Sequence, residues 1–290
     1  MAEDLDSSRR EEAANFRFPE NREVDESRAI NIYELSPDEK EELKTRIQQS
    51  DGLVVVAIHP YFDDNYAASS RDPLFNDVNE KKKVQNQRIQ NVLKRVLAKP
   101  EFPPVLVFED WDYLSSTAEK LSGDDATKDK SKFYMVPTSD SDSVPVPDKA
   151  LSEEINLNHG YVDPKNQEVL WNEIMNLLED LGVKNIIIGG TNLTINAGRD
   201  NRNVKGEKFD QAYWSKRKNQ PRPNTYDPGY HLASCVGNAA NWLSRKFQVE
   251  LSTFAAPLNR GDVKAVEAGR IEGRLKYKKR SLDEFIDELI

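Results

Sequence analysis

Three histidines and a single cysteine are the residues of this chain best suited to nucleophilic and acid–base chemistry. Cys235 lies in "YHLASCVGNAANWL", where a helix is expected to begin, directly after a good capping residue, Ser234. The free N–H groups and dipole of a helix start favour an anion, and a thiolate is such an anion as well as a nucleophile. The competing reading is a small apolar residue that simply packs, because unpaired cysteines are among the most buried residue types. His231 precedes Cys235 by four residues, His59 sits in "HPYFDD" and His159 in "NHGYVD". All three fall in expected loops, so the choice is between a shared pocket and three unrelated loop histidines.

Carboxylates gather near the same places. Asp63 and Asp64 follow one apolar run, and Glu109, Asp110 and Asp112 follow another. A carboxylate there can orient a histidine, act as a base or bind a metal; it can equally be a solvated turn residue. "IIIGGTN" ends an apolar run on two glycines and Thr191, which permits close backbone approach. It lacks the Gly-x-Gly-x-x-Gly and Walker spacings, so nucleotide binding has little support.

The elements that must position these residues are legible as apolar patterns. "LVVVAI" (53–58), "VLVFED" (105–110), "VKNIIIGG" (183–190) and "QVELSTFAAP" (248–257) are short, largely apolar runs, as in strands buried on both faces of a parallel sheet. Between them run helices near 80–98, 164–181 and 235–247, whose apolar residues repeat at helical spacing. "SPDEKEEL" begins a further helix, with Ser36 as N-cap, Pro37 in the first position and Glu39 completing a capping box. Alternating strands and helices predict an α/β fold: three layers, a mostly parallel sheet with helices on both faces. In such sheets ligands bind at the carboxyl ends of the strands, where His59, Glu109, Asp110, Thr191 and Cys235 fall.

The expected organisation is an extended, charged tail over 1–28 and one α/β domain over 29–262. That domain carries irregular insertions near 114–153 and 194–229, and a helical extension follows over 263–290. Within 114–153, "FYMVP" is a candidate short strand. The net charge of −9 and pI near 5.1 weigh against general nucleic-acid or membrane affinity, although 194–229 is locally basic. No apolar run approaches the roughly 18 residues of a membrane span. One cysteine excludes an internal disulfide and a thiolate zinc cluster and fits a reducing, cytoplasmic compartment.

The order of elements, with "LGVKNIIIGGTNL" followed by "SCVGNAANWLSRKFQVELSTFAAP", resembles the isochorismatase-like cysteine hydrolases, the group containing nicotinamidases. In that family a long helix and strand end in a Gly–x–Thr loop, and Cys-Val then opens a helix with small residues. Gly190, Thr191, Cys235, Val236, Ala239 and Ala240 match that pattern. The resemblance implies an isochorismatase-like fold and Cys235 as nucleophile of an Asp–Lys–Cys triad, with no cofactor. The chain departs from it elsewhere. Ala57-Ile58-His59-Pro60-Tyr61 stands where the family has Ile-Asp-x-Gln, no lysine precedes the long helix, and about forty residues separate Thr191 from Cys235. The expectation is therefore a divergent, non-catalytic binding or assembly subunit, self-associating or holding a protein partner. Two alternatives stay open. One is a small-molecule amide or ester hydrolase with Cys235 as nucleophile, His59 or His159 assisting, and Asp63, Asp110, Thr191 and His231 at the substrate. The other is a metal-dependent enzyme using His59, His159 and nearby acids.

Overall fold

The computed structural model describes residues 28–61, 79–99, 101–122, 131–139, 143–157, 164–190, 194–197, 230–255 and 275–278. Seven strands form one sheet: β1 (Ala29–Asn31), β2 (Leu53–Ile58), β3 (Val105–Asp110), β4 (Phe133–Thr138), β5 (Asn185–Gly190), β8 (Gln248–Ala255) and β9 (Leu275–Lys278). Their order is β1-β4-β3-β2-β5-β8-β9, and every neighbouring pair is parallel. A separate antiparallel ribbon joins β6 (Thr194–Ala197) to β7 (Tyr230–Ala233).

The continuous apolar runs have the expected physical cause. Val54 to Ile58 and Val105 to Phe108 are buried at every position, alternating between the two faces of the sheet. A strand buried on both faces has no polar side to show, so alternation disappears from its sequence. The helices supply the cover. They are α1 (Pro37–Gln49), α2 (Asn79–Leu97), α3 (Leu114–Ser122), α4 (Lys149–Leu157), α5 (Pro164–Asp180) and α6 (Ser234–Leu243). In α2 the stripe Ile89, Val92, Leu93, Val96 and Leu97 is buried. In α5 it is Leu170, Trp171, Ile174, Met175 and Leu178. Phe108, Trp171 and Trp242 stack in series, each successive pair of rings 6.1 Å apart, which ties α5 and α6 to the sheet through β3. The capping box at the start of α1 is formed by Ser36 and Glu39 as expected.

Three stretches differ from their sequence-based readings. The region 114–153, expected to be irregular apart from the candidate strand that is β4, also holds α3 and the start of α4. Its polar, proline-bearing composition hid these two short helices, which are fixed by tertiary packing, not by local pattern. Residues 194–197 of the expected irregular insertion, and 230–233 with His231, expected in a loop, form the β6–β7 ribbon. The C-terminal stretch, read as helical, contributes the strand β9 paired with β8. "LKYK" alternates weakly and carries lysines, as edge strands do, so a helical reading was equally open to it.

Setting β1 aside, the sheet order is third, second, first, fourth, fifth, sixth strand. After β2 the chain moves outward to one side, and after β4 it returns to the other side of β2. The crevice at such a reversal lies between the carboxyl ends of β2 and β5, and doubly wound sheets bind ligands there. Ile58 pairs with Gly190 at that point. Gly190 has φ +148, and a Cβ on it would overlap the backbone carbonyl oxygen of Ile58 and come within 2.8 Å of its nitrogen. Gly190→Ala is therefore expected to destabilise the fold by more than about 2 kcal/mol. Urea unfolding is the measurement, and a midpoint equal to the parent's would contradict the close approach.

Candidate functional site

Parallel register brings the key groups together. Ile58 pairs with Phe108 across β2 and β3, so the next residues, His59 and Glu109, emerge side by side at the carboxyl edge. The N–H of His59 donates to the Phe108 carbonyl at 2.9 Å, extending the ladder by one bond. His59 itself has φ +46, a left-handed backbone that is uncommon outside glycine and concentrates at functional positions. Both side chains are buried, His59 at 3% and Glu109 at 0% exposure.

The imidazole is held on both edges. Its Nδ1–H donates to Glu109 Oε1 at 2.8 Å, and its Nε2 lies 2.7 Å from Ser143 Oγ. The Cys235 side chain is near enough to act electrostatically on the ring. Glu109 is satisfied in turn. The Asp110 N–H donates to Oε1 at 3.1 Å, and the Thr117 hydroxyl of α3 donates to Oε2 at 2.7 Å. These donors satisfy the oxygens of a carboxylate that water does not reach.

Each partner has a local reason to be where it is. Thr117 shares the buried face of α3 with Leu114, Ala118 and Leu121. Ser143 arrives on a turn after β4. The Ser139 N–H donates to Val144 O at 3.0 Å, the Val146 N–H donates to Pro137 O at 2.9 Å, and Thr138 bridges Pro145. Trp111 Nε1–H donates to Val146 O at 2.8 Å and pins that turn to the end of β3. Cys235 occupies the second position of α6, immediately after the β6–β7 ribbon. Val236, Ala239, Ala240 and Leu243 of α6 are buried, and the small alanines let the helix sit close to the sheet. Cys235 is half-buried, whereas Ser143 is fully buried. Of the two nucleophile types beside the imidazole, the thiol is the one a solute can reach.

Burial alone would push the His59 imidazole down. Its hydrogen bonds to Cys235 and Glu109, with the coulombic pull of the same two groups, outweigh that and hold it well above the ordinary histidine range. The ring is thus an imidazolium near neutral pH, donating from both nitrogens.

The candidate residues divide as follows. His59 and Cys235 meet, and Glu109, one of the three acids after β3, is the carboxylate between β3 and the ring. Asp110 is 1% exposed and caps the turn 111–113 by accepting from the Asp112 N–H. His231 lies in β7 opposite Asn196. Asp63, His159 and Thr191 lie outside the described residues. Among the described residues no group of three or more His, Cys, Asp or Glu side chains is arranged to hold a metal ion. Nor is any helix among them long and apolar enough to cross a membrane. Ser143 and Thr117 were not singled out from sequence. Ser143 sits in "TSDSDSVPVP", a loop composition that marks no single serine, and Thr117 is one hydroxyl in "LSSTAEKLS". No family model matches the chain, and neither a curated protein nor a solved structure matches it.

A raised imidazole has a definite linkage. Its stabilising contribution is complete below the unfolded value of about 6.5 and is lost as pH rises through the higher folded value. Urea unfolding between pH 6 and 9 should show stability falling with pH. Glu109→Gln should lower stability at pH 6 by about 3–5 kcal/mol, the cost of leaving a buried charge unpaired, and flatten that slope. A slope of the parent's size in Glu109→Gln would mean that some other group titrates.

Proposed function

We propose that this protein is a divergent isochorismatase-like cysteine hydrolase in which Cys235, His59 and Glu109 replace the family's Asp–Lys–Cys triad. The observation that carries the reading is the buried imidazole, held by a carboxylate at 2.8 Å on one nitrogen, with Cys235 close enough to influence its charge. A nucleophile, a base within hydrogen-bond reach, and a third group orienting that base form a working set for covalent catalysis. The position at the sheet's crevice, the close backbone approach at Gly190 and the thiol in the first turn of α6 add support.

The chemistry follows from those roles. The thiol proton already rests on His59, and Cys235 Sγ attacks, as the thiolate, the carbonyl carbon of a small amide or ester. The developing oxyanion is met by unpaired N–H groups in the first turn of α6, which have no carbonyl partner within the helix. Collapse of the tetrahedral adduct breaks the C–N or C–O bond, and the imidazolium gives its proton to the leaving amine or alcohol. A thioester on Cys235 remains. Water attacks it while His59 takes the water proton. The acid then leaves as the C–S bond breaks, which restores the thiolate beside the imidazolium. Glu109 stabilises the imidazolium at each stage and does not need to be protonated.

The second reading is the non-catalytic binding or assembly subunit, which the missing aspartate and lysine of the family pattern favour. It asks nothing of the thiol beyond packing. Alkylation separates the two. With iodoacetamide near pH 6, Cys235 should label rapidly in the native protein. His59→Asn should slow labelling by at least about tenfold, and Cys235→Ser should abolish it. In a panel of small amides and esters, Cys235→Ala and His59→Asn should each lower turnover by about 10²-fold or more. Labelling that requires denaturant would eliminate the hydrolase and leave the binding subunit.

A further inference from the structure

Ser143 makes a contact that the proposed thiol chemistry does not require. It is fully buried and has φ +56, a backbone conformation that serine rarely adopts. Its Oγ lies 2.7 Å from Nε2 of His59, on the opposite side of the ring from Glu109. The turn carrying it is fixed at three points: by Ser139 to Val144, by Val146 to Pro137, and by Trp111 to Val146. An unfavourable backbone conformation held by several bonds, with its side chain reaching the central imidazole, indicates a purpose beyond closing a loop.

We infer that Ser143 is a positioning residue that pins the His59 ring and favours its charged form for the reaction with Cys235. The inference rests on the thiol–imidazole reading of the site. A hydroxyl rotates, so it can donate to Nε2 of a neutral ring or accept from Nε2–H of an imidazolium. The two states do not benefit equally. The bond to the charged ring is charge-assisted and roughly twice as strong as the neutral one. Ser143 therefore shifts the balance toward imidazolium while leaving Nε2 satisfied in both states, which matters for a nitrogen that water does not reach. With Nδ1 held by Glu109 and Nε2 by Ser143, the ring also cannot flip. The titratable groups acting on it among the described residues are Glu109 from β3 and Cys235 from α6. Serine differs from both in carrying no charge, so it tunes the ring without adding one.

Ser143→Gly makes the test decisive, because glycine removes the hydroxyl and accepts φ +56 without strain. Only three histidines are present, so nitrogen-15 spectra of the rings, assigned with His59→Asn, can follow His59 alone. In Ser143→Gly the His59 midpoint should fall by about half a pH unit or more. Iodoacetamide labelling of Cys235 near pH 6 should slow by about threefold, the same shift expressed as a ratio. Ser143→Ala should show the same ring shift with a urea midpoint below that of Ser143→Gly, because alanine keeps the strained φ that glycine relieves. An unchanged His59 midpoint in Ser143→Gly overturns the inference. A lowered midpoint, with parent labelling that does not depend on His59, leaves this role of Ser143 in place and removes the hydrolase reading instead.

Discussion

The contact between His59 and Glu109 imposes the strictest condition on this molecule. Two ionisable side chains lie out of water, and that arrangement is stable only when every polar atom of both finds a partner. The neighbourhood is organised to meet that demand. Thr117 from α3 and the Asp110 N–H serve the carboxylate; Ser143 from the turn after β4 and Cys235 from α6 serve the ring. Four separate pieces of chain converge on one ion pair. Loss of any of them would leave a buried group unsatisfied, which costs more than the bond itself contributes.

The sheet makes the convergence possible. Parallel pairing of Ile58 with Phe108 and with Gly190 sets three strand ends at one level. The reversal of strand order beside β2 opens space above them for α6 to enter. Burial of the sheet on both faces keeps the surroundings apolar, so charges at its edge interact more strongly than they would in water. The stack from Phe108 through Trp171 to Trp242 fixes α6 relative to β3. In this way the helix carrying the thiol and the strand carrying the carboxylate are held as one body.

Sequence patterns revealed the sheet's interior but not its margins. Long apolar runs announce β2, β3, β5 and β8, because double burial leaves no other composition available. β1 and β9 are edge strands of three and four residues, too short for a period to show. β4 showed as the short candidate "FYMVP", but its proline and polar flanks gave no sign that it is internal. The same division holds in the site. Cys235 and His59 drew attention because their residue types are rare and lie near strand or helix ends. Glu109 was one acid among several, distinguished only by register. Thr117 and Ser143 are common residues whose meaning is purely spatial, and no spacing along the chain points from either of them to His59.

The β6–β7 ribbon separates the position of the thiol from the content of the chain before it. Ala197 and Tyr230 are cross-strand partners, so whatever joins them departs and returns at adjacent points. The entropy of closing such an excursion grows only with the logarithm of its length. Evolution can therefore lengthen, shorten or exchange this segment at little thermodynamic expense, while Cys235 stays in register with His59. The sequence between the two strands and the placement of the thiol become separately adjustable, with the clasp as the seam between them.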